Sequence, residues 1–175
     1  MTAKEFYQSV SKSEIDIVQV MLDILSKTES EYCVIGGLAV NAYVEPVVSL
    51  DLDIVVVAGK IDSVVSVASA LELRVERFEH SVNLKQASSA LRVQLQTDTR
   101  YQEFIHRAEK RSVLGYDLSV ASLDDVLRGK VWAYLDEARR KSKRQKDLAD
   151  IIRLVETYPE LLDALPPSLR RSIEL

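Results

Sequence analysis

The sequence predicts an α+β fold: a short mixed β-sheet flanked by helices, followed by a helical C-terminal region. Three observations carry this reading. An apolar strand pattern, Glu31-Tyr32-Cys33-Val34-Ile35, runs straight into Gly36-Gly37 and then into helical spacing. A β-branched run, Ile54-Val55-Val56-Val57, follows after a short interval, and residues 73–97 again alternate apolar with polar. Beyond residue 121 the apolar period becomes helical. We place an α/β core over 1–120 and a helical region over 121–175, packed together as one compact unit.

Taken in order, residues 13–27 carry Ile15, Ile17, Val18, Met21, Leu22, Ile24 and Leu25 on one stripe, which predicts a helix. A strand over 31–35 leads into a short glycine-started helix that Pro46 stops. The second strand begins near Leu50, and 61–71 resumes helical spacing. Leu73-Val75 and Leu91-Val93-Leu95 read as half-buried strands, 101–108 as a short helix, and 112–120 as a strand or hairpin around Gly115. Ser122 followed by Asp124 and Asp125 is a helix start, with a serine cap and acid in the first turn. Two helices over 123–139 and 143–157 complete the C-terminal part, and Pro159, Pro166 and Pro167 divide the tail.

Composition narrows the function classes. With 175 residues and a net charge of −4, the chain has the balance of an ordinary globular protein and no bulk attraction for nucleic acid. The single cysteine, Cys33, lies in an apolar strand, so no disulfide or zinc framework exists and a reducing cytoplasm fits. The longest apolar runs fall short of the roughly 18 residues of a membrane helix, and Met1-Thr2-Ala3-Lys4-Glu5 lacks an apolar signal segment. A cytoplasmic protein without membrane contact is expected. Neither His80 nor His106 has the spacing of a catalytic or metal-ligating histidine.

The chemistry concentrates in Ser49-Leu50-Asp51-Leu52-Asp53. Residues two apart on a strand share a face, so Asp51 and Asp53 present carboxylates side by side, a donor set suited to Mg²⁺. Alternating acids also occur on plain solvated strands. The Gly36-Gly37 turn upstream opens a helix whose free N–H groups favour phosphate, though any tight turn uses glycine. In this order, the two features together indicate nucleotide chemistry.

Val34-Ile35-Gly36-Gly37-Leu38-Ala39-Val40-Asn41-Ala42, then Pro46 and Ser49-Leu50-Asp51-Leu52-Asp53, resembles the opening signature of the DNA polymerase β-type nucleotidyltransferase superfamily. The best match is to its small members grouped with AbiEii-type abortive-infection toxins. Leu127-Arg128-Gly129-Lys130-Val131-Trp132-Ala133 and Arg144-Gln145-Lys146-Asp147-Leu148-Ala149-Asp150 extend the resemblance. It implies the nucleotidyltransferase fold and transfer of a nucleoside monophosphate from NTP to an RNA, protein or small-molecule hydroxyl. It also implies Mg²⁺ on Asp51 and Asp53, and NTP held by Gly36, Gly37, Ser49 and Lys130. Lys130 and Asp147 would be auxiliary catalytic residues, and a toxin role would bring an antitoxin partner.

Two departures stand out. Relatives complete the metal site with a third strand carboxylate, and the equivalent here is Gln94, which shares a face with Arg92 and Gln96. An amide coordinates weakly and cannot accept a proton at neutral pH. Asp98, four residues on, lies roughly 13 Å further along a strand. Val47, Val48 and Leu50 also stand where relatives often place a basic residue. These departures support a second reading, a nucleotide-binding or protein-interaction module that has lost catalysis.

In the C-terminal helices, Lys130 falls within an apolar stripe, where a lysine either snorkels to the edge or serves a cleft. Leu148, Ile151, Ile152 and Val155 form the expected buried stripe of the last long helix. Asp147 sits on its border, as a site residue or a helix N-terminal acid, and Asp150 is more exposed. The run from Arg139 to Lys146 either steers an anionic substrate or is a solvated helix junction.

Overall fold

The computed structural model describes residues 1–11 and 15–173. Its centre is a mixed sheet of seven strands among the described residues, in the order β3-β4-β5-β2-β1-β7-β6. These are β1 (Tyr32–Ile35), β2 (Asp51–Val56), β3 (Arg74–Arg77), β4 (Ser81–Lys85), β5 (Arg92–Gln96), β6 (Glu109–Val113) and β7 (Tyr116–Val120). β2 runs parallel to β5, and β1 parallel to β7; the other neighbours are antiparallel. The register sets Asp51 beside Arg92 and Asp53 beside both Gln94 and Ile35. Directly paired residues share a sheet face, so the polar side chains of β2, β5 and β4 line up across it. Leu52, Ile54, Val93, Leu95, Val82 and Leu84 are buried on the opposite face.

The expected helices appear as α2 (Ile17–Lys27), α3 (Gly36–Val40), α4 (Ile61–Ala70), α5 (Glu103–His106), α6 (Leu123–Leu135) and α7 (Lys141–Thr157). α1 (Ala3–Ser11) and α8 (Pro167–Ile173) frame the chain. Their bounds differ from the sequence reading for identifiable reasons. α2 starts at Ile17 because Asp16 accepts a hydrogen bond from the Gln19 N–H and caps it; Ser13 and Glu14 lie outside the described residues. α6 stops at Leu135 rather than 139, where Asp136 leaves helical geometry, and α7 already begins at Lys141. The Gly115 hairpin starts at Glu109, and β4 forms a strand of its own. α1 was not legible, since it buries little beyond Tyr7, whose hydroxyl donates to the Ser49 carbonyl at 2.7 Å. Among the described residues no helix is long and apolar enough to cross a membrane.

α6 and α7 pack on each other and on α3, which closes one wall of a cleft over the polar sheet face. The stripe of α7 differs from the expected one. Asp147, Asp150, Ile151, Leu154 and Val155 are buried, whereas Leu148 and Ile152 are only half-buried. Two buried acids on a core-facing helix require partners, and these belong to the site.

Candidate active site

The cleft is floored by β2 and β5 and walled by α3, α6 and α7. Asp51 and Asp53 open onto it together, as their spacing requires. Both oxygens of Asp51 are engaged: Oδ1 lies 2.9 Å from the Arg92 guanidinium and Oδ2 3.2 Å from Lys143 Nζ. Asp53 makes no hydrogen bond or ion pair with any described residue. Burial pushes its carboxyl up to about 6, and the neighbouring Asp51 charge adds to this against Lys130, Arg92 and Arg139. Two carboxylates side by side in a cleft, one of them without a counter-charge of its own, favour a cation between them.

Gly36 explains how Asp53 fits there. Its φ is +70°, a conformation L-residues rarely adopt, and an added Cβ would overlap the Asp53 carboxylate. Gly36→Ala is expected to cost about 1–2 kcal/mol of stability from backbone strain alone and to displace Asp53 from the cleft. Gly59→Ala is the control, because a Cβ at Gly59 meets nothing within 4 Å. Urea unfolding and Mg²⁺-dependent ATP binding of the two variants check both effects. Equal behaviour would show that the close approach is dispensable. Gly37 faces Ser49: a Cβ there would sit 3.0 Å from the buried Ser49 hydroxyl. Ser49 thus packs the turn against β2, with its Oγ 3.4 Å from the Asp51 carbonyl.

Gln94 is the β5 residue beside Asp53, the place that the family resemblance implies for it, and it lines the cleft. Asp98 does not replace it: that carboxylate caps the 3₁₀ turn at Thr99–Tyr101 and pairs with Arg100 at 2.7 Å. The basic group missing before the Asp51–Asp53 pair comes instead from two directions, Arg92 on β5 and Lys143 on α7.

The reading of Asp147 as a border residue and Asp150 as an exposed one needs correction. Lys130 (7 % exposed), Asp147 (2 %) and Asp150 (3 %) are all buried, in one ionic chain. Lys130 Nζ is 3.0 Å from Asp147 Oδ1 and 2.8 Å from Asp150 Oδ2, the second contact lying off the hydrogen-bond axis. Arg139 closes on Asp147 at 2.7 Å and Arg153 on Asp150 at 2.8 Å. Arg153 also donates to the Glu45 carbonyl, tying α7 to the segment before β2. Burial alone would lower the Lys130 pKa, but Asp150 and Asp147 outweigh it and hold the ammonium above its ordinary value. Lys130 therefore neither snorkels nor sits free; it lines the cleft while locked between two helix acids.

Sequence reasoning missed Arg92 and Asp150 as neighbours of the site, and placed Arg139 and Lys143 only within a basic run that either steers an anionic substrate or is a solvated junction. Arg92 had a signal, since it shares a strand face with Gln94. For Lys143 the basic run was the signal, but its pairing with Asp51 was not legible, because 92 residues separate the two. The basic run is no mere solvated junction: Arg139 and Lys143 enter the cleft, and Arg144 donates to the Tyr134 carbonyl at 2.6 Å. Cys33 is buried and its thiol is pushed up to about 12, chiefly by burial, so it is inert.

Asp51, Asp53 and the Gln94 amide form an all-oxygen donor set on adjacent strands. Among the described residues no group of three or more His, Cys, Asp or Glu side chains is placed to hold a metal ion. The pair nevertheless suits a hard ion that keeps waters or substrate oxygens for its remaining positions.

No protein-family model matches the chain. No curated protein sequence matches it significantly. Solved structures do resemble it. ANT(2'')-Ia in complex with adenylyl-2''-tobramycin is 13% identical, with 90% of this chain and 94% of that chain covered and a TM-score of 0.61. The fold is that of the nucleotidyltransferases. The lincosamide antibiotic adenylyltransferase LnuA, lincomycin-bound, is 11% identical over 80% of this chain and 97% of its own, with a TM-score of 0.56. An antigenic nucleotidyltransferase-like protein from Paracoccidioides brasiliensis is 17% identical over 90% and 84%, also at 0.56. At these identities the likeness concerns the fold.

Proposed function

We propose that this protein is a Mg²⁺-dependent nucleotidyltransferase that moves a nucleoside monophosphate from NTP to a hydroxyl of an RNA, protein or small-molecule acceptor. The observation that carries the reading is Asp53: a carboxylate beside Asp51, pressed against Gly36 and without a counter-charge of its own. Asp51, Asp53 and the Gln94 amide would hold Mg²⁺. When bound, the ion neutralises charge on the triphosphate and orients the α-phosphate. Gly36, Gly37 and Ser49 shape the turn against which the phosphates lie, and Lys143 is a cation within reach of them. In the reaction the acceptor oxygen bonds to the α-phosphorus, the bond to the β-phosphate oxygen breaks, and pyrophosphate leaves. Gln94 cannot take the acceptor proton, which is left to solvent. The AbiEii resemblance adds a toxin role with an antitoxin partner in the cytoplasm.

The alternative, a nucleotide-binding module with reduced catalysis, is favoured by the amide at position 94. Binding and turnover of the four NTPs, with and without Mg²⁺, separate the two in wild type, Asp53→Ala and Gln94→Asp. The enzyme requires metal-dependent binding lost in Asp53→Ala, and transfer of α-labelled nucleotide to cellular RNA, protein or small molecules. Gln94→Asp supplies a proton acceptor, so it should speed transfer about 10-fold or more. Metal-dependent binding without transfer in either wild type or Gln94→Asp would establish the module instead.

A further inference from the structure

Resting on the nucleotidyltransferase reading, we infer that the acceptor is a phosphorylated hydroxyl compound, its phosphate seated against Arg74, Lys85 and Arg92 and its hydroxyls over Gln94 and Asn83. The argument begins with what the cleft rejects. A polycationic acceptor such as an aminoglycoside needs free carboxylates. Here Asp147 is taken by Lys130 and Arg139, and Asp51 by Arg92 and Lys143. Asp125, also on the cleft wall, is held by Arg107 at 2.8 Å and Arg128 at 3.0 Å. Asp53 belongs to the proposed metal site, and so does Asp51 once a metal draws it from its two cations.

What the sheet offers instead is positive charge. Register places Asp51, Arg92, Lys85 and Arg74 side by side on four successive strands, sharing one face. Arg92 lines the cleft and also a second pocket, formed with Arg74, Lys85, Gln86, Ser89 and Glu72 at the ends of β3, β4 and β5. Glu76 is shared by Lys85 at 2.8 Å and Arg74 at 3.2 Å, so one carboxylate serves two cations. Glu72, at the rim, is exposed. Once Asp51 is committed to a metal, Arg92 loses its carboxylate, and three cations face two acids.

Two buried polar atoms on this same face have no partner: Arg92 Nε and Asn83 Oδ1. Asn83 pairs with Gln94, which pairs with Asp53, in one row across the sheet. A buried group left unpaired is costly, and a phosphate oxygen and a sugar hydroxyl are the acceptor and donor these two lack. The two rows are about 7 Å apart along the strands, the scale of a sugar phosphate. The phosphate row sits beside Asp51, and the hydroxyl row ends at Asp53, where transfer is proposed.

The test uses the full chain with ribose 5-phosphate as probe, followed by calorimetry and amide chemical-shift mapping. Arg74→Ser/Lys85→Ser removes the outer cations without touching the cleft. We expect ribose 5-phosphate affinity to fall at least 10-fold in this variant, while Mg²⁺-dependent ATP affinity stays within twofold. Shifts in wild type should centre on residues 74, 83–92 and 94. A 5′-phosphorylated RNA pentamer, compared with its 5′-hydroxyl form, identifies the source. Tighter phosphate-dependent binding than ribose 5-phosphate assigns the group to an RNA end, and weaker binding to a small sugar phosphate. Unchanged affinity in the double variant, no binding in wild type, or tighter binding of tobramycin overturns the inference. Loss of ATP binding with the phosphate pocket intact would sink the transferase reading alone.

Discussion

Asp53→Asn is expected to stabilise the metal-free protein while abolishing its Mg²⁺-dependent nucleotide binding. Burial and Asp51 hold the Asp53 carboxyl at about 6 against an ordinary 3.8. A raised acid pKa means that the folded state binds the proton more tightly than the unfolded chain does. The stabilisation this provides is fully present below 3.8 and is lost as pH rises through about 6. At neutral pH the ionised group then costs up to about 3 kcal/mol, and nearer 2 after allowing for water in the open cleft. Asparagine keeps the shape and removes the charge. Its advantage over wild type should therefore be near 2 kcal/mol at pH 7 and shrink toward zero by pH 4. Urea titrations across this range measure it directly. Adding Mg²⁺ with ATP should reverse the order, because ligand that binds only the folded wild type stabilises it by mass action. Equal stabilities at every pH would mean that Asp53 carries no uncompensated charge, removing the main physical argument for a cation in this cleft.

How far the sequence discloses this site depends on the range of the contact. The Asp51–Asp53 pair and the glycine turn are local patterns, and both open onto the cleft; the place of Gln94 beside Asp53 is not local and is implied only by the family resemblance. Charge compensation is not local. Lys143 reaches Asp51 on β2 from α7, and Arg153 reaches Asp150 and the carbonyl of Glu45, 108 residues away in sequence. Asp150 reads as more exposed than Asp147 because it falls off the stripe drawn through Leu148, Ile151, Ile152 and Val155. Its burial becomes intelligible only with Lys130 and Arg153 in place. Periodicity thus put Lys130 on the buried face of α6 but drew the stripe of α7 toward Leu148 and Ile152 and away from Asp150, since a buried ion is allowed only by partners that tertiary packing supplies. The same limit hid the pocket at Arg74 and Lys85, which exists because three short strands lie side by side.

Lys130→Met gives the other large effect, and it distinguishes a structural lysine from a substrate-binding one. The ammonium sits between Asp147 and Asp150 with all three side chains buried, and each acid keeps one arginine after its removal. Deleting one member of a buried ion pair commonly costs 3–5 kcal/mol, because the charges left behind remain desolvated. The flanking Arg139 and Arg153 soften this, so a loss of about 3 kcal/mol is expected at pH 7. Because the folded Lys130 pKa lies above the ordinary lysine value, its contribution is complete at neutral pH. It is lost only as pH rises through that elevated value, so the difference between variant and wild type should be flat from pH 6 to 9. The Asp147→Asn/Lys130→Met pair should recover part of the loss, since it removes an acid together with its base. A variant as stable as wild type that binds ATP at least 10-fold more weakly would instead place Lys130 on the triphosphate. The expected pattern is the reverse: weakened folding, with nucleotide affinity per folded molecule nearly unchanged, because the ammonium is already saturated by two carboxylates before any substrate arrives.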